Sequence, residues 1–195
     1  MAKNNRSGQS TIISDIDYRK IRKHLNSRQQ LLLDIAWYTG ERWGAIVQLR
    51  VNDVYADPSQ SIPHNVITFR SVTRKASPDG KRATRQVPIH SQLEQYLLAF
   101  KPALSGWLFP CRLDEKEHLT FQGAAWAFGE AIVKARLDGK GISTHTTRRS
   151  FITHLHEKGV DIKTIQQITG HSDLKSLQRY VEVSPQRVVQ AIALL

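Results

Sequence analysis

Between His64 and Ile89 the sequence stops repeating as a helix does and turns β-branched: HNVITFRSVTRK and then RATRQVPI, with ASPDG between them. Branching at Cβ stiffens the side chain and favours extended backbone. Pro presets φ, Asp bonds its own backbone and Gly accepts positive φ, so the insert reads as a turn. The stretch predicts a β-hairpin turning around Pro78, Asp79 and Gly80. Helical patterns bracket it on both sides, so any sheet must be small and antiparallel.

Upstream, Ser14 is placed to cap a short basic helix over about 15–25. Ser27 is placed to cap a longer one that ends at Gly40, with Leu31, Leu32, Ile35 and Ala36 as its buried stripe. Residues 41–49 predict another short helix. After the hairpin, helices are expected over about 91–102, 120–136, 145–158, 161–169, 173–182 and 185–194. Gly159 and Gly170 stand at C-cap positions and Asp161 at an N-cap. The expected fold is mostly α with a small antiparallel β-hairpin, an α+β class. Residues 1–13 read as a flexible basic tail and 14–195 as a single domain.

Lys and Arg number 28 against 17 Asp and Glu, a formal charge of +11. That balance favours a polyanionic partner, because cations that neutralise phosphates release condensed counterions. Cys111 is the only cysteine, which excludes an intrachain disulfide and a thiolate-rich zinc site and fits a reducing compartment. His156-Glu157 does not extend into a zinc-binding helix motif, since Gly159 and Val160 follow, so no metal is expected. The N-terminal MAKNNRSGQSTIIS lacks the apolar core of a signal peptide. No apolar run approaches the roughly 18 residues of a membrane span. A cytoplasmic protein without cofactor is the expectation. Trp37, Trp43, Trp107 and Trp126 sit in apolar contexts and are expected in the core.

Polar chemistry gathers in three clusters. Thr39-Gly40-Glu41-Arg42 lies between two helices; Arg70, Arg74, Lys75, Lys81, Arg82 and Arg85 crowd the hairpin; and His145-Thr146-Thr147-Arg148 precedes Gly170-His171 and Tyr180. This set resembles the tyrosine recombinase (phage integrase) family from about residue 14 to the end. TG-x-R around Arg42 is similar to the family's first arginine motif. HTTRRS resembles its H-x-x-R motif, giving His145 and Arg148, and ITGHSDLKSLQRY resembles its G-H-x8-Y ending, giving His171 and Tyr180. A hairpin lysine corresponds to the family's catalytic lysine: Lys75 just before the turn, with Lys81 on the opposite arm as the competitor.

The resemblance implies site-specific DNA cleavage and rejoining through a 3′-phosphotyrosine at Tyr180. The residue types suit such a reaction. A phenol with a pKa near ~10 attacks phosphorus poorly without a base or a positive field. Two arginines can grip the non-bridging oxygens and neutralise transition-state charge without a metal. In that scheme His145 assists proton removal, His171 donates a hydrogen bond to the phosphate and Lys75 protonates the departing 5′ oxygen. Arg70, Arg74, Lys81, Arg82, Arg85 and Arg149 are the expected contacts to double-stranded DNA. Arg149 is expected to point toward DNA backbone or solvent.

Two departures from the family pattern stand out. The family's acidic residue three positions after the first arginine is Ala45 here, and Glu41, one helical turn earlier, is the candidate substitute. Only some 26 residues precede the first strong helix, which implies a short form without the usual N-terminal DNA-gripping domain. Residues 184–195 read as a helix capped by Ser184 with Pro185 at its start. That helix docks either on its own domain or on a neighbour, as in assemblies of the family on DNA. Two rival functions remain open at this point. One is a DNA-binding regulator on the same scaffold. The other is a type IB topoisomerase, which typically carries lysine at the place of His145.

Overall fold

The computed structural model describes residues 11–73, 80, 83–171, 173–178 and 192–193. Eight α-helices and four short strands appear among them. Helix α1 (Asp15–Arg22) starts at Ser14, whose hydroxyl accepts from the Asp17 amide as expected. Helix α2 (Ser27–Thr39) starts one residue earlier than expected. Asn26, not Ser27, is the cap, because Asn26 and Gln29 exchange side-chain to backbone bonds of 3.0 and 3.1 Å. Gly40 ends the helix at φ 60°. Its lack of a Cβ is required twice, since a Cβ there would also run into the Phe151 ring.

The short helix expected over 41–49 shrinks to α3 (Trp43–Ile46). The chain then turns toward an isolated bridge between Arg50 and Trp107. Strands β1 (Tyr55–Asp57) and β2 (Ile62–Pro63) form a small hairpin that the sequence pattern did not reveal. Asp57 caps the turn between them by accepting from Ser59 and Gln60 amides. The expected hairpin is β3 (Val66–Phe69) against β4 (Arg85–Pro88), antiparallel with Val66 opposite Pro88 and Phe69 opposite Arg85. Of its expected turn residues, Pro78 and Asp79 lie outside the described residues.

Helices α4 (Ser91–Ala99), α5 (Phe121–Lys134), α6 (Thr144–Glu157), α7 (Ile162–Thr169) and α8 (Leu174–Gln178) follow within a few residues of the expected bounds. Asp161 caps α7, and Gly170 ends it at φ 63°. The helix expected over 185–194 falls outside the described residues, apart from 192–193. No helix among the described residues is long and apolar enough to cross a membrane.

A large core draws on α1 to α5 and on strands β1, β3 and β4, from Ile13 through Leu137. A second, small core of Ile152, Ile165 and Leu177 clamps α6, α7 and α8 together. Helix α6 packs along α2 on one side, and the Ile13 amide donates to Ser150 on another, so its residues Thr146 to Ser150 are buried all round. Inside, the fully buried Asp34 accepts from the Tyr18 hydroxyl and, bidentately, from Arg22 at 2.8 Å on both oxygens. Of the four tryptophans, Trp37 and Trp43 are core. Trp107 lies under the Arg50 guanidinium at 3.6 Å, and Trp126 is 70% exposed, contrary to the core expectation. It sits on the outer face of α5, where an amphipathic helix must leave one stripe in solvent.

Candidate active site

The site forms where the C-terminus of α2, the N-terminus of α6 and the C-terminus of α7 meet. Arg42 stands at the start of α3, and its amide donates to Glu41 Oε1 at 2.8 Å. Trp43 Nε1 donates to Thr147 Oγ1 at 3.2 Å, which pins α3 to the first turn of α6. That contact brings the Arg42 and His145 segments together across a hundred residues of chain. A cavity of about 250 Å³ opens here, lined by Arg42, His145, Arg148, Gln48, Thr73 and Phe121 among others. His145 is exposed at its rim, Arg42 is half-buried and Arg148 is buried.

Arg148 ties the three helix ends together. One Nη donates to Gly40 O at 2.8 Å and the other to Thr169 O at 2.9 Å. Those carbonyls end α2 and α7, where a helix leaves its last acceptors unsatisfied. A guanidinium with five fixed donors suits that duty. His171 follows directly on the left-handed Gly170, so the turn that ends α7 delivers its ring against Arg148. Its Nδ1 lies 2.7 Å from Thr169 Oγ1. Burial, then the Arg148 and Arg42 charges, push the His171 pKa down to about 3, so the ring is neutral at physiological pH.

Glu41 is the buried counter-charge of this cluster. It is 1% exposed, lies 2.6 Å from Arg85 Nη1 through Oε2, and has Arg148 Nη1 3.8 Å from Oε1. One carboxylate thus faces two buried guanidiniums, and it lines the cavity together with Arg148. A carboxylate reaches the cluster from one turn earlier, while Ala45 packs in the core.

Two arginines expected on the DNA surface are internal instead. Arg85 is buried beneath the cluster, donating to Glu41 and to Thr39 O at 3.0 Å. The alternation of β4 explains it: Arg85 shares the inward face with Val87, two residues on. Arg149 is buried because the stretch of α6 from Thr146 to Ser150 is covered on all sides. Arg70 is half-buried, 3.1 Å from Asp53 and donating to Gln48 O at 3.0 Å. Arg74, Lys75, Lys81, Arg82 and Tyr180 lie outside the described residues. The structure therefore brings Arg42, His145, Arg148 and His171 together. Sequence reasoning missed the role of Arg85 and the contact of Thr169 with His171. The first was readable from strand alternation; the second needed the Gly170 turn. Among the described residues, no cluster of three His, Cys, Asp or Glu side chains forms that could hold a metal ion.

The chain is 30% identical over 175 residues to the tyrosine recombinase XerD of Corynebacterium glutamicum, covering 89% of this chain and 54% of that protein. It is 32% identical over 170 residues to the tyrosine recombinase XerD of Listeria innocua, covering 84% and 53%. The chain thus spans about half the length of these curated relatives. Among solved structures, it is similar to the XerA recombinase, with TM-score 0.69 and 19% identity, covering 99% of this chain and 66% of that one. It is also similar to the Tn1549 transposon integrase in complex with circular intermediate DNA, with TM-score 0.72 and 16% identity, covering 97% and 67%. Identities that low speak to the fold. The model of the phage integrase family matches residues 11–187. A match of that extent, with tyrosine recombinases as the relatives, means that the chain belongs to the phage integrase family.

Proposed function

We propose that this chain is the catalytic region of a site-specific DNA recombinase that cuts and rejoins duplex DNA through a 3′-phosphotyrosine bond to Tyr180. The observation that carries the reading is the convergence of Arg42, His145 and Arg148 on one cavity, with His171 against Arg148. In the cleavage step the Tyr180 oxygen bonds to phosphorus as the bond to the 5′ oxygen breaks. His145 assists removal of the phenol proton, and Lys75 gives a proton to the departing oxygen. Arg42 and Arg148 offset the charge that builds on the non-bridging oxygens. Guanidiniums supply that field themselves, so the reaction needs no metal.

Residues 14–195 act as one catalytic domain, and copies assemble on double-stranded DNA, with 184–195 the segment offered for docking. The net charge of +11 supports a nucleic-acid partner, and the site of action is the cytoplasmic nucleoid. The test is a pool of nicked duplexes with randomised centres, in which loss of a short leaving strand traps the covalent adduct. Sequencing the trapped DNA should yield one consensus site. Arg42→Ala and Arg148→Ala should each lower adduct formation on that site by about 10²–10³. Retained binding with no adduct from the unaltered protein would instead make the chain a DNA-binding regulator.

A further inference from the structure

Thr169 is fully buried in the last turn of α7, two residues before His171, and its hydroxyl has two close partners. Ile165 O lies 2.6 Å away and His171 Nδ1 2.7 Å away. A hydroxyl has one proton to give. The carbonyl can only accept, so at that distance the Thr169 proton points to Ile165 O. Nδ1 must then be the donor, giving its own proton to the Thr169 oxygen. Arg148 does not compete for that nitrogen. Its Nη2 is 3.3 Å from Nδ1 and 3.2 Å from Nε2. An in-plane approach to one lone pair leaves the other nitrogen farther off, so the near-equality puts the guanidinium over the ring face. A neutral ring protonated at Nδ1 carries no proton at Nε2.

We propose that the Thr169 hydroxyl is a positioning residue that sets which nitrogen of His171 bears the proton: Nδ1 in the DNA-free protein, Nε2 once a phosphate oxygen enters the site. This rests on His171 being a phosphate contact, as in the proposed function. A ring protonated only at Nδ1 cannot donate from Nε2. On phosphate binding one proton leaves Nδ1 for solvent and one is added at Nε2, with no change of charge. The hydroxyl then turns from Ile165 O to donate to Nδ1. A hydroxyl serves both forms because it is donor and acceptor at once, whereas a valine serves neither.

Long-range proton–nitrogen correlation on the full chain labelled with ¹⁵N-histidine tests this without DNA. His171 should show a protonated Nδ1 and a bare Nε2 near neutral pH; the reverse pattern overturns the proposal. Thr169→Ser should keep the wild-type pattern, and the near-isosteric Thr169→Val should lose it. On the nicked duplex, Thr169→Val should form adduct about tenfold more slowly, the equivalent of one net hydrogen bond, at unchanged DNA affinity. Thr169→Ser should restore the rate. Equal rates for the unaltered protein and Thr169→Val would overturn the role in cleavage. If the unaltered protein forms no adduct at all, the recombinase reading fails, while the nitrogen spectrum still decides the tautomer.

Discussion

Replacing Glu41 by Gln removes one charge from the buried cluster while keeping its shape. The carboxylate is 1% exposed and the Arg85 side chain 6%, so water offers little compensation. The oxygen of the new side chain can still accept from the Arg42 amide, but the NH₂ beside it then faces the Arg85 guanidinium, donor to donor. Removing one partner of a buried ion pair costs about 3–5 kcal/mol, and preserved volume argues for the lower end. For a chain of this size, each kcal/mol moves the melting point by roughly 2–4 °C, so Glu41→Gln should melt about 6–12 °C lower. Thermal and urea unfolding of Glu41→Gln, Arg85→Met and the double variant measure this. The double variant should lose clearly less than the sum of the two singles, with a coupling of about 1–3 kcal/mol. Because Glu41 also holds the Arg42 amide and lies near Arg148, cleavage should fall much more than DNA affinity at temperatures where the variant stays folded. A melting point within about 2 °C of the unaltered protein, or strict additivity, would refute the claim that one buried carboxylate anchors the site.

Three further outcomes are expected. Gly40→Ala should destabilise by more than the roughly 1–2 kcal/mol of a left-handed non-glycine residue, because Phe151 must also move; a loss under about 1 kcal/mol in urea would count against the close approach. If Lys81 and Arg82 meet phosphates, alanine at either should flatten the dependence of log affinity on log salt by about 0.9, whereas Arg85→Met should leave that slope alone. For His171, the folded pKa of about 3 lies below the ordinary value, so between the two the unfolded chain takes up a proton that the folded chain does not. Its contribution is complete above the ordinary histidine range and is lost as pH falls toward 3; His171→Gln should therefore lessen the decline in stability on acidification, and an unchanged pH profile would contradict the shift.

Much of the frame was legible in residue order because its signals are local. Ser14, Asp161, Gly40 and Gly170 act within one turn of themselves, and caps and left-handed termini depend on little else. The β3–β4 hairpin was legible from branching and alternation. The β1–β2 hairpin was not, since strands of three and two residues carry too little pattern and owe their place to packing against neighbours. In the site, Arg42, His145, Arg148 and His171 were readable from motif spacing. The partner of Glu41 was not, because Arg85 lies 44 residues away and looked like one of several hairpin cations. The burial of Arg149 is not legible for a similar reason. Being next to a cavity residue on a helix says nothing about how many sides of that helix are covered.

A covalent recombinase must hold the cut DNA on one side chain. Proteolysis of the trapped adduct, followed by mass spectrometry of the nucleotide-bearing peptide, reads this directly. The mass of a phosphodiester-linked DNA remnant should sit on Tyr180 and vanish with Tyr180→Phe. A remnant on any other residue, or an adduct that survives that substitution, would contradict it.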